Sequence, residues 1–248
     1  MGEDKGKGTS TYDSGFKEVT FFDRKLIFRQ PKFFRISIDL VIFLSKIRGI
    51  KKRSRVIEIG GGFGFLSIAI AKLYRCKVVT IERDGLMYEL LEYNIKANGL
   101  SSSIIPVKGD IRYIENYISK GSYDVCVINP PFYKNFSGNV AKEETDTSLS
   151  HFLKASSYSL RDGGYLNIFF IPQRLHELFI EMERYNFHPS YLCFLLPHHE
   201  KRPNRITVSA RKNVKGLLEV DKAFFINDKD KKYSNQTLAT LKALSDRL

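Results

Sequence analysis

Val56-Ile57-Glu58-Ile59-Gly60-Gly61-Gly62-Phe63-Gly64 decides the fold. Four residues of strand character, Val56 to Ile59, run into a glycine cluster, and a helically spaced apolar segment, Phe65 to Leu73, follows at once. Glycines at such a junction permit a tight turn and let backbone N–H groups approach a ligand closely. The alternation continues downstream. Val78 to Ile81 reads as strand, Leu86 to Ala97 as helix, Ile104 to Val107 as strand, Ile111 to Ile118 as helix and Val125 to Ile128 as strand. Thr147 to Leu160 is helical and ends at Gly163-Gly164, Tyr165 to Phe170 is strand, and Gln173 to Tyr185 is helical. Strands alternating with helices of about 10–15 residues imply an α/β fold with a mostly parallel, doubly wound sheet. Tyr191 to Leu196 and Arg205 to Ala210 have no helix between them, so a seven-stranded sheet with an antiparallel edge is expected.

Upstream of the glycines, Ile36, Leu40, Phe43, Leu44 and Ile47 have helical spacing, and Phe21 to Phe28 reads as a hairpin around Asp23-Arg24. Residues 1–15 are rich in Gly, Lys, Ser and Thr and read as a flexible leader. Residues 16–248 form one domain, with 16–53 as an N-terminal extension. At the other end, Asp228 to Lys232 is a surface loop and Leu238 to Leu244 a last helix.

Glu82 ends the second parallel strand about 20 residues beyond the glycines, where nucleoside sites place a carboxylate on ribose hydroxyls. The glycine order does not suit a pyrophosphate. No glycine follows Gly64 where a dinucleotide site would pack helix on strand, so a nicotinamide dinucleotide is disfavoured. Glu58, two residues before Gly60, suits the ammonium group of S-adenosylmethionine better. Gly109-Asp110-Ile111 ends the third strand with a carboxylate for an adenine amino group and an apolar neighbour for its ring, although Asp110 read singly is equally a helix N-cap. All three acids lie at carboxyl ends of parallel strands, where such sheets bind ligands.

Asn129-Pro130-Pro131-Phe132-Tyr133 closes the strand from Val125 to Ile128. Proline fixes its own φ and pushes the preceding residue away from helix, so Asn129 is held at the strand end with its amide projecting. An amide oxygen beside a main-chain carbonyl can accept both hydrogens of a planar amino group, and Phe132 or Tyr133 can stack on a base. That is equipment for presenting an exocyclic amine to an electrophile.

The net charge of +13 and a pI near 9.5 point to a polyanionic partner. Candidate phosphate contacts are the Lys51-Lys52-Arg53 turn, the segment Lys201-Arg202-Pro203-Asn204-Arg205 with Arg211-Lys212, and the lysines of the leader. No apolar run approaches the roughly 18–20 residues that span a bilayer, and the N-terminus lacks a signal-peptide core, so a cytoplasmic protein with no membrane partner is expected. Cys76, Cys126 and Cys193 are scattered, with no disulfide framework or zinc pattern. The pair His198-His199 lacks a nearby Cys or Asp, so no metal is expected.

Glu58 to Gly64, Glu82, Gly109-Asp110 and Asn129 to Phe132 together resemble the class I S-adenosylmethionine-dependent methyltransferases that act on exocyclic or amide nitrogen. Within that class the chain more closely resembles the bacterial tRNA(Val) adenine-N6 methyltransferases. Gln30-Pro31-Lys32-Phe33-Phe34-Arg35-Ile36-Ser37-Ile38-Asp39 looks like that family's N-terminal signature. The resemblance implies a Rossmann-like fold, S-adenosylmethionine as cofactor with S-adenosylhomocysteine as product, and RNA as partner, with the enzyme a monomer or weak dimer. It implies a catalytic motif of Asn129, Pro130, Pro131 and Phe132. Cofactor contacts would come from Arg35, Asp39, Glu58, Gly60, Gly62, Gly64, Glu82, Asp110, Ile111 and Asn129, and substrate contacts from Phe132, Tyr133, Lys142, Lys201, Arg202 and Arg205. Three positions depart from the family. Lys142-Glu143-Glu144 lacks a usual histidine, and Gly61 and Phe63 stand where threonine or serine and glycine are commoner. Amino-group methylation of guanine, of DNA adenine or of protein glutamine stays open, as does a non-catalytic RNA-binding role on the same fold.

Overall fold

The computed structural model describes residues 15–32, 34–132 and 147–248. The central strands are β3 (Arg55–Ile59), β4 (Lys77–Glu82), β5 (Ile104–Lys108), β6 (Tyr123–Ile128), β7 (Leu160–Phe170), β8 (Phe187–Leu196) and β9 (Arg205–Lys212). They lie in the order β5-β4-β3-β6-β7-β9-β8. The first five are parallel, and β9 inserts antiparallel between β7 and β8. Two further strands, β10 (Glu219–Val220) and β11 (Phe224–Phe225), pair with β8 and bring the sheet to nine. Each has only two residues, too short to leave a periodic signal in the sequence. The strand order reverses at β3, whose neighbours are β4 and β6, and a crevice opens above the carboxyl ends there.

Val56, Ile57, Ile59, Val125, Cys126, Val127 and Ile128 are fully buried, as in a parallel sheet covered on both faces. The covering helices are α1 (Ile38–Lys46), α2 (Phe65–Tyr74), α3 (Gly85–Ala97), α4 (Leu149–Ser159) and α5 (Leu175–Arg184), with α6 (Asn235–Ser245) at the C-terminus. Ser37, Asp84 and Ser234 cap α1, α3 and α6 by accepting hydrogen bonds from backbone amides in the first turn. All three cysteines are buried and free. Among the described residues no helix is long and apolar enough to cross a membrane.

The hairpin expected over Phe21 to Phe28 is longer, with β1 (Phe16–Phe21) paired antiparallel to β2 (Leu26–Pro31). Two asparagines of α3 dock it. Asn94 accepts from Arg29 N (2.7 Å) and donates to Arg29 O (3.0 Å) and Phe63 O (2.8 Å). Asn98 accepts from Ile27 N (3.0 Å) and donates to Ile27 O (2.7 Å). Their amides thus complete the outer edge of β2 as a neighbouring strand would.

Two local expectations are corrected. Ile111–Asn116 is a 3-10 helix that breaks at Tyr113, because the chain folds back until the Tyr117 ring rests on Gly109. A Cβ at Gly109 would come within 2.6 Å of that ring. Gly163-Gly164 lies inside β7 and not before it, in a bulge where the pairing with β6 skips a register between Tyr123 and Val125.

Candidate active site

A cavity of about 420 Å³ lies above the carboxyl ends of β3, β4 and β6, a volume suited to a nucleoside-sized ligand. Gly60 to Gly62, Glu58, Glu82, Asp110, Ile111, Asn129 and Pro131 line it. The structure therefore gathers most of the residues expected from the sequence.

Both amides of Gly60 and Gly61 donate to Ile81 O, which bends the chain sharply off β3. Gly64 then takes φ +93 as the N-cap of α2 and has no side chain with which to cap it. Glu58 supplies what is missing. Its Oε2 accepts from Ser67 N (3.0 Å) in the first turn of α2 and from the Ser67 hydroxyl, with Thr80 Oγ1 at 3.4 Å. A carboxyl from the preceding strand thus caps the helix. Burial pushes the Glu58 carboxyl up to about 8, against the lowering effect of the Ser67 and Thr80 bonds.

Glu82 spans the loop. Gly62 N donates to Oε2 and Asp84 N to Oε1, both at 2.8 Å. Burial raises its pKa and the backbone bonds oppose the rise. Each oxygen accepts a backbone bond, and the side chain lines the cavity.

Gly61 explains one departure from the family. A Cβ there would come 2.1 Å from Thr80 Oγ1, so the hydroxyl beside Glu58 comes from β4 and occupies the space a side chain at position 61 would take. Phe63 explains another. Its ring meets Phe28 (6.3 Å) and Phe34 (5.8 Å) edge to face, locking the N-terminal extension onto the glycine loop.

At the end of β6, Asn129 Oδ1 is buried and has no hydrogen-bond partner among the described residues. Asn129 and Pro131 face the cavity. Phe132 does not line it. Its ring is 8% exposed, packs edge-on against Phe169 and Phe170, and carries the Arg205 guanidinium 5.0 Å from its centroid. The Phe132 ring thus packs behind the motif, among Phe169, Phe170 and Arg205. Tyr133, Lys142, Glu143 and Glu144 lie outside the described residues, as does the leader up to residue 14.

The remaining expectations divide. Asp110 caps the 3-10 helix at Arg112 N (2.9 Å), and Arg112 Nε lies 3.0 and 3.1 Å from its two oxygens. The Arg112 bond leads the effects that hold its carboxyl below the usual range. Ile111 lines the cavity beside it. Arg35 is exposed and Asp39 half-buried, and neither lines the cavity. Burial raises the Asp39 carboxyl, opposed by the charge of Arg205. Arg205 is thus half-buried, with its guanidinium over the Phe132 ring. Lys201 and Arg202 are exposed at the β8–β9 connection, on the same end of the sheet as the cavity. Lys212 is buried and donates to Ser157 O and Leu160 O, which removes it from the phosphate contacts.

Phe34, which sequence reasoning placed only within the N-terminal signature, also lines the cavity, as do Met87, Thr147 and Phe152, to which it gave no role. Phe34 sits inside the N-terminal element and was legible as aromatic; the others carry no pattern that separates them from core positions. Among the described residues no group of three His, Cys, Asp or Glu side chains could hold a metal.

Residues 35–184 match the family described as the methyltransferase small domain. A tRNA1(Val) (adenine(37)-N6)-methyltransferase of Porphyromonas gingivalis is 29% identical over 161 residues, covering 60% of this chain and 62% of that protein. Its counterpart in Photobacterium profundum is 23% identical over 201 residues, covering 77% and 82%. A Methanocaldococcus jannaschii protein named for N5-glutamine methylation is 28% identical over 149 residues, covering 56% and 72%. The chain spans 62% of the length of the Porphyromonas relative and 53% of one from Bacteroides fragilis. In fold, it is similar to a predicted O-methyltransferase of Agrobacterium tumefaciens (TM-score 0.69, 16% identity, 83% of this chain and 96% of that one). It is also similar to M. jannaschii TYW2 solved with AdoMet (TM-score 0.58, 17% identity, 81% and 87%).

Proposed function

This chain belongs to the methyltransferase small-domain family, and from that premise we propose that it methylates the exocyclic N6 of an adenine in RNA, the anticodon-loop adenosine at position 37 of a valine tRNA. The cofactor is S-adenosylmethionine, which when bound supplies a methyl group on a sulfonium. The cavity residues fit it. Glu58 offers a carboxylate to the ammonium group, Glu82 two oxygens to the ribose, and Asp110 with Ile111 a polar and an apolar contact to the adenine.

The observation that carries the proposal is the buried, unpartnered Oδ1 of Asn129. Leaving a buried acceptor unpaired costs about 1–3 kcal/mol, a cost recovered when a donor enters. An adenine amino nitrogen is a poor nucleophile because its lone pair is delocalised into the ring. Hydrogen bonds from its two hydrogens to Asn129 Oδ1 and the Pro130 carbonyl favour pyramidalisation and stabilise positive charge developing on nitrogen. No strong base is required, since the extra proton can pass to water after transfer. The base must leave its stack to enter, as in other enzymes that work on bases. The net charge of +13 supports a nucleic acid over a protein glutamine, whose side-chain amide would present a similar NH₂.

The test uses labelled S-adenosylmethionine with separate tRNA, DNA and protein fractions, followed by digestion to nucleosides or amino acids. Label in N6-methyladenosine from tRNA is expected, and Asn129→Ala should abolish it while cofactor affinity stays within about twofold. Label in guanosine or in glutamine would refute the adenine assignment.

A further inference from the structure

At the opposite end of the sheet from the cavity, a second concave pocket is formed by the turn before β3 and the amino-terminal part of β7. Lys51, Lys52, Arg53, Arg161 and Arg211 line it, with Asp124 the one carboxylate among the described lining residues. That carboxylate is already engaged, accepting from Arg161 Nε (2.7 Å) and Arg55 N (2.8 Å). Among the described residues Lys51, Lys52 and Arg53 form no ion pair and are exposed.

The pocket is built, not a chance gathering of surface lysines. Lys51 N donates to Ser54 Oγ (2.9 Å) and Ser54 N to Lys51 O (3.0 Å), closing a tight turn around the two central cations. Arg53 holds φ +74 in that turn, a left-handed conformation unusual for a side chain of its size. Strain of this kind persists where surrounding structure fixes it, and it collects at functional sites. The floor is equally fixed. Tyr165 packs so closely on Gly49 that a Cβ there would lie 2.3 Å from its ring. Arg211 lies 4.4 Å over the same ring, donating from Nε to Gly163 O (2.9 Å) and from Nη1 to Tyr165 Oη (3.2 Å). A guanidinium anchored on a tyrosine, facing a rigid turn of three unpaired cations, is a site for phosphate oxygens.

We propose that this pocket grips backbone phosphates of the RNA at a point remote from the base being methylated. The inference rests on the RNA-methylation reading. The pocket and the cavity are separated by the length of β3, five residues or roughly 17 Å. A hairpin directed away from the domain at its reacting base would leave the pocket empty, whereas the rest of a full tRNA could wrap back to it.

The experiment measures binding of the full-length chain to a valine tRNA transcript and to a hairpin carrying only its anticodon arm, across a salt series. The variant is Lys51→Ala/Lys52→Ala/Arg53→Gly, the glycine being suited to the left-handed turn. Its fold is checked by S-adenosylmethionine affinity and a thermal melt, and Lys51→Arg/Lys52→Arg serves as a charge-preserving control. The full transcript should bind the triple variant at least about tenfold more weakly, with the slope of log K against log salt reduced by about 2–3. The hairpin should bind both proteins alike, and the arginine control should match the wild type.

Unchanged affinity for the full transcript would overturn the inference and leave the methylation reading standing. An equal loss with the hairpin would also overturn it, because the pocket would then act close to the reacting base. Failure of the wild type to bind either RNA would sink the methylation reading itself and the inference with it. Pyrophosphate binding that the triple mutation abolishes, with tRNA affinity untouched, would assign the pocket to a free anion and overturn the RNA role.

Discussion

Arg174 donates a hydrogen bond from Nη1 to the carbonyl oxygen of Phe132, at 3.0 Å. The guanidinium is fixed for that purpose. Glu177 accepts from Nε and Nη2 (2.9 and 2.8 Å), and the Phe170 ring lies 5.2 Å away. The two prolines stiffen the start of the motif, and Arg174 holds its end. A carbonyl released here would let Asn129 drift, and a displacement of about 1 Å costs on the order of 10²-fold in rate. Arg174→Ala should lower kcat by roughly that factor, with cofactor affinity unchanged. Arg174→Lys should recover only part of it, since one ammonium cannot serve Phe132 and Glu177 in the same fork. Single-turnover methylation with saturating RNA checks this, and a loss confined to KM would place Arg174 outside the positioning of the motif.

If Glu58 receives the cofactor's ammonium group, as proposed, cofactor binding depends on pH. The Glu58 carboxyl, pushed up to about 8 by burial, is protonated at neutral pH. A cationic ammonium favours the carboxylate, so binding must expel the proton. Affinity should rise by up to about tenfold per pH unit below 8 and flatten above it. Calorimetry in buffers of different ionisation enthalpy should record proton release near pH 7. The linked stability runs the other way. A carboxyl whose pKa is higher folded than unfolded stabilises the fold at low pH, and that stability is lost as pH rises from about 4.5 through 8. Glu58→Gln should remove both dependences. If the wild type shows no proton release, the ammonium contact belongs elsewhere.

The sheet and its ligand end were legible because both rest on short-range pattern. Apolar runs spaced by helices dictate parallel strands, and glycines or acids at strand ends mark the carboxyl side. Asn129 was legible for a related reason, since two prolines leave the preceding residue few conformations. What sequence could not supply was pairing across long separations. Arg205 reads as one of several cations in a basic stretch, and only β9 threading between β7 and β8 brings it over Phe132. Lys212 reads as surface and is buried against α4's last carbonyls. Asp110 shows a further difficulty: its place just beyond β5 was legible, but not that Arg112, two residues on, engages both of its oxygens.

Gly61 and Thr80 form a reciprocal pair. Only one of the two positions can carry a side chain into the space beside Glu58, because a Cβ on Gly61 would sit 2.1 Å from Thr80 Oγ1. Gly61→Thr alone should destabilise the protein by about 1–3 kcal/mol through overpacking and weaken cofactor binding. Thr80→Ala alone should cost less, because it removes a hydroxyl at 3.4 Å from a carboxyl that keeps its Ser67 bonds. Combined, Gly61→Thr/Thr80→Ala should recover most of the stability and return a hydroxyl to Glu58 from the loop. A double-mutant cycle in urea measures the coupling, and strictly additive effects would show that the two positions do not compete.

Asn94 joins the extension to the site. Its amide serves both backbone groups of Arg29 and the carbonyl of Phe63, so one buried side chain bridges β2, α3 and the glycine loop. Asn94→Ala would strand three partners at once. With each buried unpaired group costing about 1–3 kcal/mol, a loss of roughly 3 kcal/mol or more is expected. Asn98, only half-buried and tied to Ile27 alone among the hairpin residues, should cost about 1 kcal/mol on the same substitution. The effect should reach the cavity as well. β2 leads into Phe34, which packs on Phe63 and lines the site, so Asn94→Ala should also weaken S-adenosylmethionine binding while Asn98→Ala leaves it nearly unchanged. Hydrogen exchange at the Arg29 amide reports directly on the docking. Retained protection there in Asn94→Ala would mean that apolar packing of Phe28 and Phe63, not the asparagine, holds the hairpin in place.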